Sequence, residues 1–245
     1  MPDYYFEKLP EKYDPDYDSN IPWYSQRNKI KKIVIEEGVT NIGKLAFYNC
    51  SSLTSITIPE SVTSIGQQGF EECSSLALIT IPESVTSIGS SAFYGNKGLT
   101  SITIPKSVTS IGGSAFCGCI GLTSITISEG VTSIGSYAFS GCSSLTSITI
   151  PRSVEDIQAS AFSSCPALTS ITVESGNKVY DNRNNCNAII ETLNNGLIVG
   201  CKKTVIPNNV ESICASAFSG CKDLTSIVIP NSVTSIGAYA FYGCI

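Results

Sequence analysis

The 245-residue sequence has no histidine, and only 14% of its residues are charged. Lack of imidazole argues against histidine-dependent acid-base chemistry and against most metal centres. Fifteen Lys and Arg against 20 Asp and Glu leave a net charge of −5, whereas nucleic acid needs a concentrated basic face. No run of about 18 apolar residues occurs, so no segment reads as a membrane-spanning helix. Serine is abundant, yet neither a Gly-x-Ser-x-Gly elbow nor a phosphate-binding loop is present. The sequence therefore predicts no enzyme, no cofactor, no metal, no nucleic acid and no membrane insertion.

What the chain does have is repetition. Phenylalanine recurs every 23 residues at Phe47, Phe70, Phe93, Phe116, Phe139 and Phe162, then after 56 residues at Phe218, and 23 later at Phe241. A fixed period of this length marks a solenoid, in which one unit cannot bury its apolar face alone and stacking supplies the core. The expected fold is mostly β: about eight coils, each with short strands and one short helical turn. Leu-Thr-Ser-Ile-Thr-Ile alternates apolar and polar residues like a half-buried strand, and Pro59, Pro82, Pro105, Pro151, Pro207 and Pro230 end it. Val-Thr-Ser-Ile is a second short strand. Ser-x-Ala-Phe-x-Gly is the turn, closed at Asn49, Glu72, Gly95, Gly118, Gly141, Ser164, Gly220 and Gly243, a column suited to a left-handed cap.

Two stretches break the pattern. Residues 1–29 mix Tyr4, Tyr5, Phe6, Trp23 and Tyr24 with acidic residues, and are predicted to cover the open end of the first coil as an N-terminal cap; an acidic docking motif is the alternative. The solenoid then occupies 30–245, with an insertion at about 174–206. There Asn195-Gly196 separates the apolar runs 188–193 and 197–199, the pattern of a tight β-hairpin. Met1-Pro-Asp-Tyr-Tyr-Phe-Glu7 lacks the regions of a secretory signal, and Phe241-Tyr-Gly-Cys-Ile245 brings no polar capping segment, which leads us to expect a fragment of a larger exported protein.

Of eleven cysteines, Cys50, Cys73, Cys119, Cys142, Cys165, Cys221 and Cys244 share one column, in which the third copy has Asn96. Cysteine and asparagine have in common a modest size and a hydrogen-bond donor, so the column is expected to be a ladder of reduced thiols donating to backbone carbonyls, not a disulfide framework. Cys186 and Cys201 flank the hairpin and are left open as bonded or free. Cys117 and Cys119 alone make a poor zinc motif.

With the repeat written Leu-x-x-Ile-x-Ile-Pro-x-x-Val-x-x-Ile-Gly-x-x-Ala-Phe-x-x-Cys, the chain resembles the BspA-like leucine-rich-repeat proteins of bacterial and protist surfaces. Ile21-Pro-Trp-Tyr-Ser25 and Asn185-Cys-Asn-Ala-Ile-Ile-Glu-Thr192 are similar to theirs as well. The resemblance implies a curved right-handed solenoid, surface display or secretion, and attachment to host matrix proteins such as fibronectin or fibrinogen, or to other microbes. The expected function is a non-enzymatic protein-binding module; a structural spacer with no ligand of its own is the rival. Candidate contacts are Thr57, Thr80, Thr103, Thr126 and Thr149 on the strand face, with Tyr48, Tyr94, Tyr137, Tyr239 and Tyr242 near the turns. Such a flat hydroxyl array could instead bind ice or a carbohydrate lattice, or be a plain solvated strand face. Open coil ends would also permit end-to-end self-association.

Overall fold

The computed structural model describes the backbone of Tyr5–Phe6 and residues 23–244. The chain winds as a β-solenoid whose coils have a long-strand side, a short-strand side and a turn side. On the short-strand side, Asn41–Ile42, Ser64–Ile65, Ser87–Ile88, Ser110–Ile111, Ser133–Ile134 and Asp156–Ile157 form one parallel sheet with equivalent repeat positions paired. The long-strand side is broken into pairs: Lys32–Ile35 with Ser55–Thr57, Ser101–Ile104 with Ser124–Ile127, and Ser147–Ile150 with Ser170–Val173. Tyr5–Phe6 adds a parallel strand against Val34 and Ile35. No strand forms over 78–81.

On the turn side the hydrogen bonds alternate. Phe47, Phe70, Phe93 and Phe116 donate their N–H forward to the next coil, to Gly69, Ala92, Ala115 and Ala138, at 2.7–2.8 Å. Residues between them bond locally, as Ala92 does to Gly89 and Tyr94 to Ser91. The short strands bond the other way, Thr86 back to Thr63 and Gly89 back to Ile65, both at 2.8 Å. Each coil therefore donates in both directions along the axis. These alternating bonds stand where the repeat pattern suggests a single helical turn.

Two left-handed columns make that alternation possible. Asn49, Glu72, Gly95, Gly118, Gly141, Ser164, Gly220 and Gly243 all have φ between 55° and 72°. Leu45, Gln68, Ser91, Ser114, Tyr137, Ser160, Ser216 and Tyr239 have φ of 56–60°, with no glycine among them. A side chain in this region costs about 1–2 kcal/mol. Inter-coil bonds such as Ser91 N–H to Gly113 O, 2.8 Å, hold the strained residue in place.

The core is a ring stack. Phe47, Phe70, Phe93, Phe116 and Phe139 are fully buried, and from Phe47 to Phe162 successive centroids lie 5.1–5.4 Å apart. Trp23, 7% exposed, lies 6.4 Å from Phe47 and ends the stack. Most of the predicted cap over 1–29 falls outside the described residues.

The insertion passes through this core. Ala188–Glu191 and Gly196–Gly200 form an antiparallel hairpin buried on both faces. Ile189, Val199 and Cys201 belong to the core of the coils before the insertion, while Ala188, Ile190 and Leu197 pack with Ile213 and Phe218. Gly196–Gly200 also pairs in parallel with Ser212–Ile213, so the insertion supplies a turn of its own. Gly200 takes the place of a ring: a Cβ there would fall 2.2 Å from Phe218 Cε1. The stack stops at Phe162 and resumes with Phe218 and Phe241, 5.1 Å apart. Asn177 pins the insertion to the preceding coil, donating to Pro151 O and Val154 O at 2.9 Å. Glu191 pairs with Gly196, so Asn195-Gly196 is not itself a two-residue turn. Leu193, 91% exposed, belongs to the loop and not to a strand.

Candidate interaction surface

Three threonine columns stand on the surface and differ in what their hydroxyls do. Thr54, Thr100, Thr123, Thr146 and Thr169 each donate to the carbonyl 23 residues back, at 3.0–3.5 Å. Thr63, Thr86, Thr109 and Thr132 do the same at 3.0–3.4 Å. Thr57, Thr80, Thr103, Thr126 and Thr149 are exposed, and among the described residues no hydrogen bond engages their side chains. Two columns thus tie coil to coil, and the third presents free hydroxyls. The sequence repeats threonine in all three and gives no sign of the difference.

The candidate tyrosines lie on the turn side, away from that row. Tyr94, Tyr137, Tyr239 and Tyr242 are exposed and Tyr48 is half-buried. Tyr239 and Tyr242 meet edge to face at 5.9 Å. Tyr137 and Tyr239 occupy the left-handed column, which turns their rings outward from the stack.

Beneath the turns runs a ladder of donors. Cys73, Cys119, Cys142 and Cys165 donate Sγ–H to Phe47 O, Phe93 O, Phe116 O and Phe139 O at 3.1–3.3 Å. Cys244 donates to Phe218 O at 3.1 Å. Asn96 fills its rung by donating Nδ2 to Phe70 O at 3.0 Å. Cys221 reaches Gly200 O at 3.6 Å, because the hairpin replaces the preceding phenylalanine there. Cys50 is buried in the same column. Burial pushes Cys119, Cys165 and Cys221 up to about 12 and raises Cys142 well above its usual range. Cys73 is raised as well, first by its hydrogen bond with Cys50 and then by burial. The column is thus a run of hydrogen-bond donors that joins each coil to the one before.

All eleven cysteines are free. Cys186 and Cys201 face opposite sides of the hairpin wall, into different core clusters, and no disulfide joins them. Asn96 carries one defect: its Oδ1 is buried without a partner. Asn96→Cys keeps the donor and removes the unpaired acceptor, which costs about 1–3 kcal/mol when buried. We expect that variant to be more stable by about 1–2 kcal/mol in urea titration.

A hollow of about 430 Å³ lies beside the insertion, lined in part by Glu174, Asp181 and Arg183. An enzymatic reading needs clustered carboxylates there. Asp181 is instead held by Arg183, Nη2 to Oδ2 at 2.8 Å and Nε to Oδ1 at 2.8 Å, so it is engaged in fixing the loop. Among the described residues no group of three or more His, Cys, Asp or Glu could hold a metal ion, and no helix is long and apolar enough to cross a membrane.

A β-solenoid of 23-residue coils with a Leu-x-x-Ile-x-Ile-Pro strand and an Ala-Phe turn is a leucine-rich-repeat array. The chain belongs to the BspA type leucine rich repeat region family, whose profile matches residues 22–119, 86–195 and 198–245. It is similar to a leucine rich cell surface protein of Faecalibacterium prausnitzii A2-165, at 38% identity and TM-score 0.75, over 85% of this chain and 57% of that one. A leucine-rich repeat protein of Eubacterium ventriosum ATCC 27560 is 28% identical, TM-score 0.64, over 96% and 56% of the two chains. The pneumococcal vaccine antigen PcpA shares the fold, at 23% identity and TM-score 0.76, over 88% and 58%. The chain thus spans a little over half the length of these solved relatives. No curated protein matches it. Repeats of this kind generally serve as non-enzymatic binding modules.

Proposed function

We propose that the chain is a non-enzymatic adhesion module of a cell-surface or secreted protein. It takes host matrix proteins such as fibronectin or fibrinogen, or proteins of other microbial surfaces, on its long-strand face. The observation that carries this reading is the exposed row Thr57, Thr80, Thr103, Thr126 and Thr149, whose hydroxyls the fold leaves unused while the neighbouring threonine columns bond coil to coil. Exposed tyrosines, residues favoured at protein interfaces, offer a second patch on the turn side. In support, one relative is described as a cell surface protein and another as a vaccine antigen. Residues 1–29 would serve as the cap and 30–245 as the binding solenoid, and the exposed Val228 and Ile236 are where end-to-end self-association would occur.

Solid-phase binding to immobilised fibronectin and fibrinogen tests the reading. The chain is expected to bind one of them saturably. Replacing all five threonines by alanine should weaken capture at least about fivefold, roughly 1 kcal/mol, with Tm held within about 2 °C because no intramolecular bond is lost. Capture unchanged by the five substitutions would remove the row from the interface, and background signal throughout would leave a spacer.

A further inference from the structure

The third coil departs from its neighbours on the surface as well as in the ladder. Six other copies carry Thr-Ser at the start of the long strand, from Thr54-Ser55 to Thr225-Ser226, whereas the third has Ala77-Leu78. Ala77 has no hydroxyl to bond back to the preceding coil, as Thr100 and Thr123 do. Leu78 is 63% exposed, so it adds nothing to the core. Near-identical copies act as an internal control: an exposed leucine in a column of serines calls for a reason outside folding.

The backbone around it is irregular as well. Residues 78–81 form no strand, as 226–229 do not in the last copy, which leaves Ser55–Thr57 and Ser101–Ile104 each with one edge unpaired. Beside Ser101–Ile104 opens a groove of about 450 Å³, lined by Leu78, Ile79, Ile81 and Pro105, with Glu60 and Glu83 also at its wall. Both carboxylates are exposed, and neither has an ion pair among the described residues. Thr80 and Thr103 of the free-hydroxyl row border the same groove.

We propose that this groove anchors an extended segment of a partner protein that carries an aliphatic side chain flanked by lysine or arginine. The proposal rests on the protein-binding reading above and narrows it to one coil. An aliphatic anchor matches the apolar floor, basic flanks match the two free carboxylates, and an extended backbone can use the unpaired edge of Ser101–Ile104.

The probe is a phage-displayed library of random linear dodecapeptides, selected on the full 245-residue chain. Enriched peptides should share an aliphatic residue with Lys or Arg within two positions. Made synthetically, they should lose at least about tenfold in affinity to L78S and at least about fivefold to the double variant E60K/E83K. Serine is native to this column in six copies, so L78S should fold with unchanged Tm, which melting checks directly. No enriched class, or peptides that bind L78S as well as the parent, would overturn the proposal. Fibronectin or fibrinogen captured undiminished by L78S would overturn the groove while sparing the module; no capture in either assay would overturn both. A parent chain that sediments as a dimer and L78S as a monomer would overturn it in favour of a second copy.

Discussion

Phe116→Ala should lower the unfolding free energy by about 3–5 kcal/mol and split one urea transition into two. The Phe116 ring is fully buried between Phe93, at 5.1 Å and 5° interplanar, and Phe139, at 5.4 Å and 3°. Alanine leaves a ring-sized void that neither neighbour can fill, because each is held by its own coil. In a one-dimensional array, stability is a sum of coil and interface terms. Weakening one central interface therefore lets the coils on either side unfold separately. Phe241 is the control: it is half-buried and, among the described residues, stacks on Phe218 alone, so its alanine variant should cost about 1–2 kcal/mol and leave a single transition. Equal losses at both positions would mean that the rings fill space without coupling coils.

Raising the pH from 9 to 12 should unfold the protein cooperatively. Cys119, Cys165 and Cys221 stay neutral in the fold up to about 12, against an ordinary value of 9.0. The unfolded chain loses those protons near 9 and the folded chain does not, so stability is fully present below 9 and falls as pH rises toward 12. Each such thiol contributes up to about 4 kcal/mol of loss by pH 12. Three of them rival the ~5–15 kcal/mol total of a typical domain. Circular dichroism against pH would locate the midpoint. Cys119→Asn, the residue that the third copy uses in this column, should start about 1–2 kcal/mol less stable at pH 8 because of its unpaired acceptor, yet lose less stability between pH 9 and 12 because an amide does not ionise. An unchanged slope against pH would place the alkaline sensitivity elsewhere.

Much of this architecture was legible in the chain. The 23-residue phenylalanine spacing foretold the stack, and the exchange of Cys for Asn96 foretold a ladder of donors. The column running from Asn49 to Gly243, rich in glycine, carried its left-handed backbone in plain view. The second left-handed column did not, because Leu45, Gln68 and Tyr137 have no intrinsic liking for that conformation; inter-coil hydrogen bonds impose it. Asn195-Gly196 announced a hairpin but misplaced its turn by one residue or more. Ala188, Ile189 and Ile190 are apolar without alternation, the mark of a strand buried on both faces, and that run was the signal that the hairpin crosses the core. Cys186 and Cys201, on which the spacing left the pairing open, are both free and packed in different core clusters. Of the surface features, Leu78 was visible by comparison between copies, while the free-hydroxyl threonine row was not, since all three threonine columns look alike until their bonds are seen.

Whether coils hold one another by edge-to-edge bonding is tested most directly by native-state hydrogen exchange, followed amide by amide. Stacking predicts that the N–H groups of Phe47, Phe70, Phe93 and Phe116, each bonded to the next coil, exchange only through near-global opening. The amides of residues 78–81, which belong to no strand, should exchange by local opening, faster by about 100-fold or more. Phenylalanine amides that exchange as fast as those of 78–81 would contradict it.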